Sequence, residues 1–210
     1  MKLHSKGLMI VISGPSGVGK GSIKSALLNQ VNNNFCYSVS YTTRKPRKGE
    51  QEGKDYFFIN KADFEKKIEE NFFLEYSEFV NNYYGTPYKE TLKKLEEGKE
   101  VLLEIDIEGV LKIQKHKINK DSVFIFISPL YKEVLKERLR KRDTETEEEL
   151  KKRILRASEE MKLAYKCDYI VFNDEIKNAL NKIMSIITAE RHKTKNIINF
   201  YSKEILKKGN

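Results

Sequence analysis

The segment Gly14-Pro15-Ser16-Gly17-Val18-Gly19-Lys20 has the residue types and order to hold a polyphosphate. Its glycines let successive backbone N–H groups curl around phosphate oxygens, a helix starting behind them points its positive end at the same spot, and Lys20 reaches the group in transfer. The flanks agree with that use: residues 8–12, Leu-Met-Ile-Val-Ile, read as a strand buried on both faces, and residues 22–28 read as a helix. An ordinary Gly-rich turn needs no strand, lysine and helix in register around it. Lys20 is followed by Gly21, and the hydroxyl that commonly binds Mg²⁺ arrives one place later as Ser22, so the metal is expected to be held partly through water. Gly14, Gly17 and Gly19 give GxxGxG, not the GxGxxG of a dinucleotide site, which disfavours a dehydrogenase.

The elements that must position this loop follow from periodicity. Apolar runs at 101–107, 123–127 and 169–172 are separated by helix-compatible stretches, an alternation that predicts a parallel sheet covered by helices. The interval 38–98 differs in kind. Residues 38–43 and 56–59 read as strands flanking a basic loop at 44–54, which predicts a small inserted subdomain. A second insertion is expected at 131–156, where Thr146 and Glu149 fit a capping box that starts a helix. Leu180, Ile183, Met184 and Ile187 lie at helical spacing, so 176–206 reads as a packing helix with a frayed basic tail.

Composition bounds the function classes. A chain of 210 residues with 39% hydrophobic and 34% charged residues reads as one folding unit with a wet surface. The net charge of +9 invites a nucleic-acid reading, but most of it is lysine interleaved with glutamate along solvated helix faces, and no exposed aromatic array accompanies it. No apolar run is long enough for a membrane span or a secretion signal, so a cytoplasmic protein is expected, without membrane or nucleic-acid partners. Cys36 and Cys167 stand alone and His4, His116 and His192 are scattered, which predicts reduced thiols and no structural metal.

The phosphate loop, the run from Ser38 through Thr42-Thr43-Arg44-Lys45-Pro46-Arg47-Lys48-Gly49-Glu50, and Gly53-Lys54-Asp55-Tyr56 together resemble guanylate kinase. So do Asn82-Tyr83-Tyr84-Gly85-Thr86, Ile105-Asp106-Ile107-Glu108-Gly109 and Arg142-Asp143-Thr144-Glu145-Thr146-Glu147; the motifs run in order along nearly the whole chain up to about Glu190. The resemblance implies an α/β fold: a P-loop parallel sheet flanked by helices, with an inserted NMP-binding subdomain containing a small mixed or antiparallel sheet, and a helical lid. Its division would be a core of 1–38, 90–130 and 157–210, a GMP-binding subdomain of 39–89 and a lid of 131–156.

It also implies roles. GMP offers a dianionic phosphate and a guanine edge with adjacent donors, so its site needs cations at one end and acceptors at the other. Arg44 and Arg47 would supply the cations, bidentate and stiffened by Pro46 between them, with the hydroxyls of Tyr56 and Tyr84 on the same phosphate. Glu75 matches the family's guanine-reading glutamate, with Ser40 and Thr86 beside it; Thr86 keeps the hydroxyl of the serine often found there. Asp106, at the carboxyl end of an apolar strand, would meet the acceptor, Lys20 or, with Ser22, the Mg²⁺ ion through water. Glu104, two residues earlier, stands where the family usually has aspartate. Arg138 and Arg142, four apart on one helix face, and Arg153 on the returning helix resemble the lid arginines, whereas Arg140 and Arg156 are expected as surface salt-bridge partners. Asn173 matches an adenine-contacting asparagine; as a residue alone it reads equally as a helix N-cap with Asp174.

The reaction implied is transfer of the γ-phosphoryl group of ATP, with Mg²⁺, to GMP, with dGMP as an open second acceptor and a monomer or homodimer as the assembly. Two other readings are weaker. A guanylate-kinase-like binding module without catalysis typically lacks a working phosphate loop. Adenylate kinase, suggested by Gly19-Lys20-Gly21-Ser22, is opposed by the patterns at 40–47 and 75–84.

Overall fold

The computed structural model describes residues 6–30, 34–140 and 147–206. In chain order the strands are β1 (Met9–Ser13), β2 (Phe35–Tyr37), β3 (Tyr41–Thr42), β4 (Phe57–Phe58), β5 (Phe73–Phe79), β6 (Asn82–Pro87), β7 (Glu100–Glu104), β8 (Ser122–Ser128) and β9 (Tyr169–Phe172). The α-helices are α1 (Lys20–Leu28), α2 (Lys61–Glu69), α3 (Tyr88–Glu96), α4 (Ile107–Gln114), α5 (Lys132–Arg140), α6 (Glu147–Lys162), α7 (Ile176–Arg191) and α8 (Thr194–Tyr201).

All five residues of β1 are buried, because it is apolar on both faces and has a parallel neighbour on each side. The sheet order is β2-β7-β1-β8-β9, every pair parallel. Successive side chains alternate between faces, and the two apolar clusters divide accordingly. Ile10 and Ile12 join Ile23 and Leu27 of α1 and Ile183 of α7, while Met9 and Val11 join Val110 and Ile113 of α4 and Leu95 of α3. At ~1.5–3 kcal/mol for each fully buried side chain, this double-sided core anchors the loop that leaves the end of β1.

A second sheet has the order β4-β3-β6-β5; β3 and β4 are parallel, the other pairs antiparallel. It is therefore the small mixed sheet expected of the insertion. Aromatic packing holds it together: Phe64 of α2 stacks on Phe73 at 4.5 Å and on Tyr83 at 5.2 Å between ring centroids. The β5–β6 hairpin turns at Val80 and Asn81, both at positive φ (47° and 57°), the twist that suits a tight antiparallel connection.

Three expectations change. Residues 101–107 do not form one strand: β7 stops at Glu104 and Ile107 begins α4, because Asp106 Oδ1 accepts from the Gly109 N–H at 2.8 Å and caps the helix. Residues 38–43 are not one strand either; the preceding Phe35–Tyr37 adds a strand to the parallel sheet and only Tyr41–Thr42 belongs to the second sheet. The C-terminal helix is broken, since α7 ends at Arg191, α8 restarts at Thr194, and a π-helical turn follows at Ser202–Leu206. Asn196 Nδ2 donates to the Glu190 carbonyl at 2.7 Å, satisfying an acceptor freed by the break. Helix α6 begins at Glu147, next to the expected capping box, whose Thr146 lies outside the described residues, as do Lys207 and Lys208.

Candidate active site

The turn from β1 into α1 places Gly14 at φ 142° and Gly19 at φ 101°, backbone that side-chain-bearing residues rarely adopt. A Cβ on Gly14 would lie 2.3 Å from the Ile127 carbonyl oxygen, and one on Gly19 would lie 2.6 Å from Asn173 Nδ2. Pro15 and Val18 complete the turn; the Val18 side chain is fully buried in the core. Its carbonyl accepts from Asn173 Nδ2 at 2.7 Å and from Arg138 Nη1 at 3.3 Å. Asn173 is buried, and the residue that precedes the first turn of α7 is Glu175, two positions on, so Asn173 braces the loop instead of capping the helix. Lys20 Nζ donates to the carbonyls of Gly14 at 2.5 Å and Pro15 at 3.3 Å. Gly21 and Ser22 are exposed on the first turn of α1, with nothing within 4 Å of where a Gly21 Cβ would stand.

Across the cleft, Arg44 Nη2 reaches both oxygens of Glu50 at 2.8 and 3.0 Å, and Glu50 Oε2 also accepts from the Arg47 N–H at 2.7 Å. Burial raises the Glu50 carboxyl, but Arg44 and the Arg47 N–H outweigh it and hold the group below its ordinary range. Glu50 thus stiffens a loop carrying two guanidinium groups. The Arg44 guanidinium lies over the Tyr56 ring at 5.4 Å, and Tyr56 meets Tyr84 edge-on at 5.9 Å.

Alternation along β5 turns Glu75, Ser77 and Phe79 to the cleft. Glu75 is paired with Thr86 on β6, and its Oε1 accepts from Thr86 Oγ1 at 2.5 Å; the Thr86 side chain is fully buried behind it. Burial pushes the Glu75 carboxyl up to about 7 in spite of the Thr86 hydroxyl. Its Oε2 lies over the first turn of α4, 2.8 Å from where a Cβ on Gly109 would be. Gly109 is what lets a strand and a helix approach here. Asp106 Oδ2 accepts from Ser77 Oγ at 2.9 Å and from Arg156 Nη2 at 3.1 Å.

Helix α6 supplies the third wall. Arg153 Nη1 donates to Ser16 Oγ of the phosphate loop at 3.1 Å, and its guanidinium lies 5.4 Å from the Phe79 ring. One cleft of about 500 Å³ is lined by the loop (Gly14, Ser16, Gly17, Gly19, Lys20, Gly21, Ser22), by Ser40, Arg44, Arg47, Tyr56, Glu75 and Tyr84, and by Asp106 and Arg153. Pro15, Val18, Thr86, Arg138 and Asn173 stand behind this lining, and Arg142 lies outside the described residues.

Arg156 requires a correction. It is not a surface partner: it lines the cleft, lies 4.4 Å over the Phe79 ring and bridges Asp106 and Glu160. Glu50, Ser77, Phe79 and Glu160 were given no role from sequence, yet all line the cleft. The signals were present: Ser77 and Phe79 alternate with Glu75, and Arg156 and Glu160 follow Arg153 at helical spacing. Glu104 also lines the cleft and pairs with Lys24 at 3.5 Å. Cys36 and Cys167 are free thiols, and burial pushes Cys167 up to about 12. Among the described residues no group of three His, Cys, Asp or Glu is placed to hold a metal ion.

Comparison with known proteins is consistent along the chain. The family model described as guanylate kinase matches residues 6–190. A guanylate kinase of Onion yellows phytoplasma (strain OY-M) is 54% identical over 203 residues, covering 97% of this chain and 95% of that protein. One from Clostridium tetani (strain Massachusetts / E88) is 52% identical over 186 residues, covering 89% and 88%. The crystal structure of guanylate kinase from Anaplasma phagocytophilum superimposes with a TM-score of 0.80 at 30% identity, covering 96% of each chain.

Proposed function

The chain belongs to the guanylate kinase family, and from that premise we propose that its cleft transfers the γ-phosphoryl group of ATP to GMP, giving ADP and GDP. The observation that carries the assignment of residues is the single cleft with the phosphate loop on one wall and Arg44, Arg47 and Glu75 on the other. Donor and acceptor are thereby held for in-line displacement: an oxygen of the GMP phosphate attacks the γ-phosphorus, the new P–O bond forms, and the bond to the ADP oxygen breaks.

Arg44 and Arg47, fixed by Glu50, neutralise the acceptor phosphate, and Tyr56 and Tyr84 donate to it. Glu75, supported by Thr86, and Ser40 and Asp106 meet the guanine edge. Lys20 and the loop N–H groups hold the donor phosphates; Arg138, Arg142 and Arg153 bring lid charge to the equatorial oxygens and exclude water. Asn173 keeps the loop in shape next to the adenine side. No general base is needed, because a phosphate monoester with a second pKa of ~6 is already ionised near neutrality. Catalysis is then positioning and charge neutralisation.

The donor is MgATP, whose ion spreads the charge of the polyphosphate. Ser22, exposed on the first turn of α1 in the cleft, fits as its contact, directly or through water. Asp106 would reach the ion only through water: Oδ2 already accepts from Ser77 and Arg156, whereas Oδ1 accepts one bond from Gly109 and keeps a lone pair free.

We assign the core to 1–38, 90–130 and 157–210, the acceptor subdomain to 39–89 and the lid to 131–156, its last boundary falling inside the continuous helix α6. We propose a cytoplasmic reaction carried out by a monomer or homodimer. Separately, no described helix is long and apolar enough to cross a membrane. Steady-state turnover of ATP with GMP, dGMP, AMP and UMP tests the proposal. GMP is expected to be the preferred acceptor; ADP formation with AMP or UMP but none with GMP would overturn it.

A further inference from the structure

Arg156 is the cleft arginine to which the family reading gives no task. Its side chain is 27% exposed, and its Nε and Nη2 are both engaged at the cleft wall. Nη2 donates to Asp106 Oδ2 at 3.1 Å and stands 3.9 Å from Glu108, Nε donates to Glu160 at 3.3 Å, and the guanidinium plane lies 4.4 Å from the Phe79 ring. The guanidinium is therefore held from four sides by β5, α4 and its own helix.

Asp106 is the carboxylate at the other end of this bridge. The Gly109 N–H takes Oδ1, and Ser77 with Arg156 takes Oδ2. The buried Glu75 faces the same pocket. Two carboxylates aimed at one base repel each other, and a fixed cation on the far side of one offsets that repulsion and holds it in place. A guanidinium also sets direction, because its N–H donors diverge in a rigid plane. The aromatic ring under it and Glu160 behind it leave that plane little freedom.

We propose that Arg156 is a positioning residue of the acceptor site: through its bond to Asp106 Oδ2 it orients the carboxylate that, with Glu75, receives the guanine edge. This rests on the reading of Asp106 as an acceptor-site residue. Arg156 also ties the lid helix α6 to the acceptor pocket, while Arg153, one turn earlier, ties the same helix to Ser16 of the phosphate loop. The two arginines divide the donor and acceptor poles between them.

The test is steady-state kinetics of Arg156→Ala, Arg156→Lys and Arg156→Gln, of Asp106→Asn, and of Asp106→Asn with Arg156→Ala, each checked for folding by circular dichroism. The Lys and Gln variants keep the test alive if the alanine variant fails to fold. The expected result for Arg156→Ala is a KM for GMP raised ~10-fold, with the KM for ATP changed less than about twofold, the pattern of a lost positioning contact on one substrate. Lysine should recover part of the loss and glutamine less, and Arg156→Ala should add little once Asp106 is asparagine, because residues acting through one contact are not additive. A fall in kcat with the KM for GMP unchanged would place Arg156 on the transferring phosphoryl group and overturn the proposal, as would equal effects on both KM values or full additivity with Asp106→Asn. If Asp106→Asn leaves the KM for GMP unchanged, the acceptor-site reading of Asp106 falls and takes this proposal with it. If Asp106→Asn raises that KM and the Arg156 variants do not, the proposal alone falls.

Discussion

Replacing Glu75 by glutamine tests the base-reading end through its electrostatics. Glu75 is buried, and its carboxyl is pushed from an ordinary 4.5 up to about 7 by that burial, with Thr86 opposing. Below pH 4.5 folded and unfolded chains both hold the proton, so the group costs the fold nothing. As pH rises the unfolded chain ionises first, and by the time the folded carboxyl has titrated near 7 the full burial cost is present. At ~1.4 kcal/mol per pH unit the gap amounts to about 3 kcal/mol. Glutamine stays neutral and can still accept from Thr86 Oγ1, so its variant escapes that cost. The melting temperature of Glu75→Gln relative to the parent chain should therefore climb by ~6–12 °C between pH 4.5 and 8, at ~2–4 °C per kcal/mol for a domain of this size. Differential scanning calorimetry in nucleotide-free buffer measures it. GMP should act in the opposite sense, because the N–H donors of guanine favour the anion: binding should release protons between about pH 5 and 7, counted by titration calorimetry in buffers of different ionisation enthalpy. The acceptor phosphate, with its pKa of ~6, releases protons in both proteins, so the excess over Glu75→Gln is the share of Glu75. A stability difference flat in pH, or equal proton release by both proteins, would refute the reasoning.

Two further substitutions separate the poles. Lys20→Ala, which removes the amine folded onto the Gly14 and Pro15 carbonyls, should lower kcat by ~10²–10³ while leaving circular dichroism unchanged; Arg44→Ala should lose transfer in the same way with a raised KM for GMP, and unchanged rates for both would sink the site assignment. Gly109→Ala gains ~1 kcal/mol of helix propensity but sets a methyl 2.8 Å from Glu75 Oε2 and 3.2 Å from Ile105 Cδ1. It should raise the KM for GMP without lowering the melting temperature, and a lower melting temperature with an unchanged KM would show that Gly109 serves the helix and not the site.

What the sequence disclosed and what it withheld divide along physical lines. The strands β1, β8 and β9 and the phosphate loop were legible because each depends on local pattern: apolar runs buried by parallel neighbours, and glycines whose backbone no other residue adopts easily. Strand β2 was not, since Phe35–Tyr37 is three residues long, too short to carry a period, and earns its place only by pairing with β7. Asp106 was read as a strand-end carboxylate because residues 101–107 are apolar but for Glu104 and Asp106; its capping bond to Gly109, three residues on, was the competing local signal, and it won. Arg156 was misplaced for a different reason. Its helical spacing from Arg153 already set both on one face of α6, but whether that face meets solvent or the cleft depends on how α6 lies against β5 and α4, elements some eighty and fifty residues distant. The same holds for Gly109 beneath Glu75: neither residue is unusual within its own element, and only the docking of helix on strand turns a plain glycine into a requirement of the base pocket. The acceptor pole is thus specified by contacts between elements, and so its residues divide into those a motif can name and those, such as Arg156, that only the packing brings in.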